Sequence, residues 1–125
     1  VVEYFKAHAS QIKEHVTNNG ALLFRGLPIR TPEHYEAVLE VLPYNLYHNN
    51  LGGASPRSKV TQKTFVSTEA PAPFIIGLHT EFCYQTRRPS MVSFFCVVPA
   101  AEYGETPLFD CAAILADLSP TLLND

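Results

Sequence analysis

Apolar side chains recur at helical intervals along the first part of the chain. Val2, Phe5, Ala9, Ile12 and Val16 are spaced by three or four positions and form one stripe, which predicts a helix over residues 2–18. The polar stretch Thr17-Asn18-Asn19-Gly20 is a stop signal, with Gly20 available for a left-handed cap. Ala21-Leu22-Leu23-Phe24 is short, apolar and bracketed by Gly20 and Gly26, so it reads as a buried strand. Thr31 at a cap and Pro32 at the first helical position open a second helix. Its buried face would be Tyr35, Val38, Leu39 and Leu42, and Pro43 stops it.

Periodicity then fades. Residues 44–63 carry Asn-Asn, Gly-Gly and Ser-Pro pairs and read as a long polar loop, a type of segment that often serves function. Short strands are expected at 64–69, 75–82 and 90–98, the last ended by Pro99. A further short strand spans 106–110, and Asp110 is placed to cap a helix from Cys111. Helices come first and strands dominate the second half. This predicts an α+β arrangement, with helices covering a mainly antiparallel sheet. Short strands separated by turns are compatible with a jelly roll or related barrel.

Composition narrows the function classes. The 125 residues are enough for one domain, 46% are hydrophobic and the net charge is -3. No basic stripe is present to neutralise phosphates, which argues against a nucleic-acid partner. No apolar run approaches the ~20 residues that span a bilayer, so no membrane partner is expected. Cys83, Cys96 and Cys111 form no C-x-x-C pair. An odd, sparse set suits buried thiols in a reducing, cytoplasmic setting. The N-terminus shows no leader pattern. The chain begins without Met, and Ser119-Pro120 looks like a helix cap with almost no helix after it. An incomplete chain is expected on both counts.

One pair of residues carries chemistry. In Gly77-Leu-His-Thr-Glu-Phe82, His79 and Glu81 stand two positions apart in an apolar run. On a strand, positions i and i+2 share a face, so both side chains would project together about 6.5–7 Å apart at the α-carbons. An imidazole and a carboxylate suit a borderline divalent metal, and two histidines with one carboxylate form the usual non-haem Fe(II) set. The same spacing also occurs as an ordinary ion pair at a sheet rim. His8, His15, His34 and His48 add nothing to this pattern and read as structural or exposed.

The surrounding segments sharpen the choice. LGGASPRSKV, VSTEAPAPFIIGLHTEFCY and RRPSMVSFFCVVPAAEYGETPLFD, in this order, together with the earlier GALLFRGLPI, resemble the TauD/TfdA family of dioxygenases. The stretch is most similar to the clavaminate synthase-like branch, which has glutamate in its metal motif. The resemblance runs over about residues 20–118. It implies a partial double-stranded β-helix (jelly roll) with N-terminal helices packed on the sheet. It also implies Fe(II), with 2-oxoglutarate as cosubstrate, O2, and a small polar, amino-acid-like substrate. His79 and Glu81 match the iron ligands. Thr106 matches a threonine that hydrogen-bonds a carboxylate of 2-oxoglutarate, although Tyr103 stands where the family has its first glycine. Tyrosine tolerates positive φ poorly, so an altered turn is expected there. By the same resemblance Ser55, Arg57 and Ser67 would meet the substrate.

The family's second histidine and its 2-oxoglutarate-binding arginine lie far downstream of the H-x-E motif. No histidine follows His79, and Arg87 and Arg88 do not match that arginine. The expectation is therefore a single incomplete TauD/TfdA-like oxygenase domain over 1–125, lacking its C-terminal part. It would bind iron poorly alone and expose core surface. The other class that fits is a catalytically inactive relative, or a non-enzymatic binding domain that keeps part of the fold.

Overall fold

The computed structural model describes residues 1–48, 57–71 and 73–123. The helical stripe at the N-terminus forms two helices, α1 (Val2–Ala7) and α2 (Ala9–Asn19), with the break at His8. His8 spans the break, its ring stacked on Tyr4 at 4.2 Å and its Nδ1 2.8 Å from the Tyr4 carbonyl. Gly20 ends α2 at φ 77° and donates its N–H to Val16 O, the left-handed stop expected from Asn-Asn-Gly. Thr31 caps α3 (Pro32–Glu40), its Oγ1 accepting the His34 N–H at 3.2 Å, with Pro32 in the first turn. Asp110 caps α4 (Cys111–Asp117) by accepting from the N–H groups of Ala112 and Ala113, and α5 (Pro120–Leu123) is a single turn.

The core is small and lies between these N-terminal helices. Phe5, Ile12, Val38 and Leu42 are its buried members, with Leu27, Ile29, Leu39 and Tyr44 packed at its edge. Phe24 leans on Phe5 at 5.0 Å between ring centroids. The predicted face of α3 is therefore the face that packs.

The expected sheet does not form among the described residues. Among the described residues the only β-pairing is one antiparallel bridge, Lys59 with Phe65. Segments 21–24, 75–80 and 91–96 have no ladder partners. The reason is physical: a strand's backbone groups are satisfied by a neighbouring strand, and a run of apolar residues cannot supply one. Apolar side chains meant for a sheet face stay at the surface instead, among them Phe74, Ile75, Leu78, Phe94, Val98 and Leu108. The accessible surface is 10270 Å² for 13.9 kDa. A compact chain of that mass would expose about 6,700 Å². The three cysteines are free, as expected, but exposed rather than buried: Cys83 and Cys96 lie on or beside these same segments, and Cys111 opens the exposed α4. No helix among the described residues is long and apolar enough to cross a membrane.

Two devices tie the irregular half to α3. The first is a minimal hairpin over 58–66, closed by Val66 N–H to Ser58 O at 3.0 Å and Val60 N–H to Thr64 O at 2.9 Å. Glu36 on α3 latches its tip. Its Oε2 accepts the Lys63 N–H at 2.7 Å and the Thr61 hydroxyl, while Lys63 Nζ reaches Glu40 at 2.6 Å. The second is Tyr35, whose hydroxyl bonds Ser93 Oγ at 2.6 Å and whose ring stacks on Phe95 at 5.2 Å.

Candidate metal centre

His79 and Glu81 do converge, but a turn brings them together rather than a strand pleat. Cys83 N–H donates to Thr80 O at 3.3 Å, which closes a turn over 80–83, and a second follows from Gln85 N–H to Phe82 O at 2.9 Å. Phe82 adopts φ 52° at the third position of the first turn. Left-handed backbone at a non-glycine residue costs roughly 1–2 kcal/mol. Here it follows the motif directly and turns the chain away behind Glu81.

His79 Nε2 lies 3.6 Å from Glu81 Oε2. The other ring nitrogen, Nδ1, is 2.8 Å from the carbonyl oxygen of Gly77. A carbonyl can only accept, so Nδ1 carries the proton. In the neutral ring the lone pair then sits on Nε2, facing a carboxylate oxygen that is also a lone-pair donor. Two such atoms repel unless a cation lies between them. Two bonds of about 2.1 Å, ordinary for nitrogen and oxygen ligands, span up to about 4.2 Å, so one ion can touch both atoms. A proton on the ring would serve the same electrostatic need. The donor set thus fits a divalent metal.

Glu81's other oxygen is already engaged. Arg57 Nη2 pairs with Oε1 at 2.9 Å. The Glu81 side chain is 17% exposed and Arg57 25%, while His79 is 54% exposed. The pair is shielded enough to be worth more than a surface ion pair. Arg57 is delivered by the hairpin, whose first arm is held by Ser58 N–H to Glu69 Oε1 at 3.1 Å.

Of the remaining expected residues, Ser67 and Thr106 make no hydrogen bond or ion pair with this cluster among the described residues. Ser67 is exposed at the exit of the hairpin, and Thr106 is exposed in the irregular stretch before Asp110. No hydrogen bond or ion pair among the described residues joins Thr106 to His79 or Glu81. Ser55 lies outside the described residues. Tyr103, in the place of a family glycine, takes φ 61° beside Gly104 at φ 89°, so both residues carry left-handed backbone. Among the described residues no third His, Cys, Asp or Glu joins the pair. Sequence reasoning missed Gly77 O and the Glu36 latch. Thr61-Gln-Lys-Thr64, a polar turn four residues after Arg57, was the available signal for the latch.

Burial by itself would raise the Glu36 pKa. The Thr61 and Lys63 hydrogen bonds, with the charges of Lys63 and Lys59, outweigh it and hold the carboxyl below its ordinary 4.5. Burial pushes the Tyr35 phenol above its ordinary 10.0, against the opposing bond with Ser93.

An imidazole and a carboxylate with two facing lone-pair atoms are thus the chemistry this region offers. The profile of the taurine catabolism dioxygenase TauD, TfdA family matches residues 2–124. The chain belongs to this family. It is 34% identical over 95 residues to a clavaminate synthase-like protein of Arabidopsis thaliana, covering 72% of this chain and 27% of that protein. It is 31% identical over 116 residues to the dapdiamide synthesis protein DdaC of Enterobacter agglomerans, covering 91% of this chain and 34% of that one. The chain therefore spans about a third or less of the length of the curated relatives it matches. No solved structure matches it significantly.

Proposed function

We propose that this chain is the N-terminal part of an Fe(II)/2-oxoglutarate-dependent oxygenase acting on a small polar, amino-acid-like substrate. The observation that carries the reading is the facing pair of lone-pair atoms, His79 Nε2 and Glu81 Oε2, at 3.6 Å in a member of this family. These two atoms would hold the iron, and the Gly77 carbonyl fixes the ring so that Nε2 is the one presented. When bound, Fe(II) with 2-oxoglutarate and O2 supplies the oxidation of an unactivated C–H bond, with release of succinate and CO2. Thr106 would donate a hydrogen bond to a cosubstrate carboxylate. Ser67, Ser55 and the remaining N–H donors of Arg57 would meet polar groups of the substrate. The third iron ligand, the 2-oxoglutarate arginine and the strands that complete a jelly roll would come from the part of the relatives that this chain does not span.

The test is iron-dependent succinate release from 2-oxoglutarate by the full coding sequence, abolished by His79→Ala and by Glu81→Gln. Succinate release that survives both substitutions refutes the assignment. The alternative is an inactive relative or binding domain. A coding sequence with no downstream histidine and arginine decides for it.

A further inference from the structure

We propose that Arg57 is a positioning residue that makes Glu81 a one-oxygen ligand. The inference rests on reading His79 and Glu81 as the metal pair. A free glutamate carboxylate can rotate and can offer a cation one oxygen or two. Here the guanidinium takes Oε1 at 2.9 Å, which leaves Oε2 as the oxygen that faces His79 Nε2. Arg57 is itself held by fixed structure. It precedes a hairpin whose first arm is tied to Glu69 and whose tip is latched to α3 through Glu36 and Glu40. The carboxylate plane is thus set by a residue more than twenty positions away in sequence. An arginine suits this task better than a lysine, because its planar fork fixes direction as well as charge.

Electrostatics alone predicts the opposite consequence. A guanidinium beside the site repels an incoming cation, so its removal would tighten metal binding. Positioning predicts weaker binding, and the sign separates the two effects. Loss of a partner that orients a ligand typically costs tenfold to a hundredfold in metal affinity.

The experiment titrates the protein expressed from the full coding sequence with Co(II), followed by calorimetry and by the visible d–d absorption, which responds to carboxylate binding mode. Wild type, Arg57→Gln, Arg57→Lys, His79→Ala and Glu81→Gln are compared, with far-UV circular dichroism reporting the helices. The proposal expects binding that is lost in His79→Ala and Glu81→Gln. Arg57→Gln should weaken it about tenfold or more and alter the band, and Arg57→Lys should fall between. A wild-type affinity and band in Arg57→Gln, or tighter binding, overturns the role of Arg57 and leaves the ligand pair standing. If Arg57→Gln loses helix, Arg57→Lys carries the test, and an unchanged affinity and band there overturns the proposal. No Co(II) binding by the wild type, or binding untouched by His79→Ala, overturns the ligand pair itself and this inference with it.

Discussion

Replacing Glu36 with alanine removes the latch between α3 and the 58–66 hairpin. The carboxylate accepts two hydrogen bonds, from the Thr61 hydroxyl and from the Lys63 N–H at 2.7 Å. Hydrogen bonds to a charged group contribute about 1.5–3 kcal/mol each when shielded. Glu36 is only half-buried, and water can replace it at Thr61 and Lys63, so the larger figures do not apply. Alanine also gains slightly in helix propensity. The expected net loss is about 1–2 kcal/mol, which for a chain of this size lowers the melting temperature by roughly 3–10 °C. Thermal unfolding by circular dichroism at pH 7 measures it. The pH profile gives an independent check. The folded pKa of Glu36 lies below the ordinary 4.5, so its contribution is present above about pH 4.5 and is lost as pH falls through the lower folded value. The gap between wild type and Glu36→Ala should therefore close on acidification. A loss under about 0.5 kcal/mol at pH 7, or a gap that widens toward pH 3, would refute the latch.

Other outcomes follow from the same structure. Gly104→Ala forces a Cβ to 2.7 Å from Ala100 Cβ at φ 89°, at a cost of about 1–3 kcal/mol. Tyr103→Gly relieves a left-handed tyrosine whose side chain is exposed, and should stay within about 0.5 kcal/mol of wild type or better; chemical denaturation showing the reverse order would contradict both. Asp110→Ala removes the acceptor for two N–H groups and should unwind exposed α4, read as lost far-UV helical signal with little change in the main transition. Val38→Ala, in the small core beside Phe5, should cost about 1–3 kcal/mol in the main transition.

The helices were legible because their signals are local. Thr31-Pro32, Asn-Asn-Gly20 and Asp110 each act on the backbone within one turn, and all three work as read. The strands were not, because an apolar run such as 75–82 or 90–98 marks a segment suited to a sheet and leaves the pairing to another segment. The His79–Glu81 pair sits between these cases. Its two-residue spacing was visible, and the side chains meet, yet the left-handed Phe82 and the turn at 80–83 bring them together instead of a pleat. Arg57 could be picked out as a polar candidate, but its bond to Glu81 spans tertiary structure and left no mark in the local pattern.

Helix α3 has partners in three regions of the chain. Val38 and Leu39 seat it on the N-terminal helices, Glu36 and Glu40 grip the hairpin, and Tyr35 holds Ser93 and Phe95. Nine residues therefore act as the common hinge-pin of three otherwise separate regions. Opening that one helix would release all of them together, so its amides and those of the hairpin should exchange with solvent at a single shared rate.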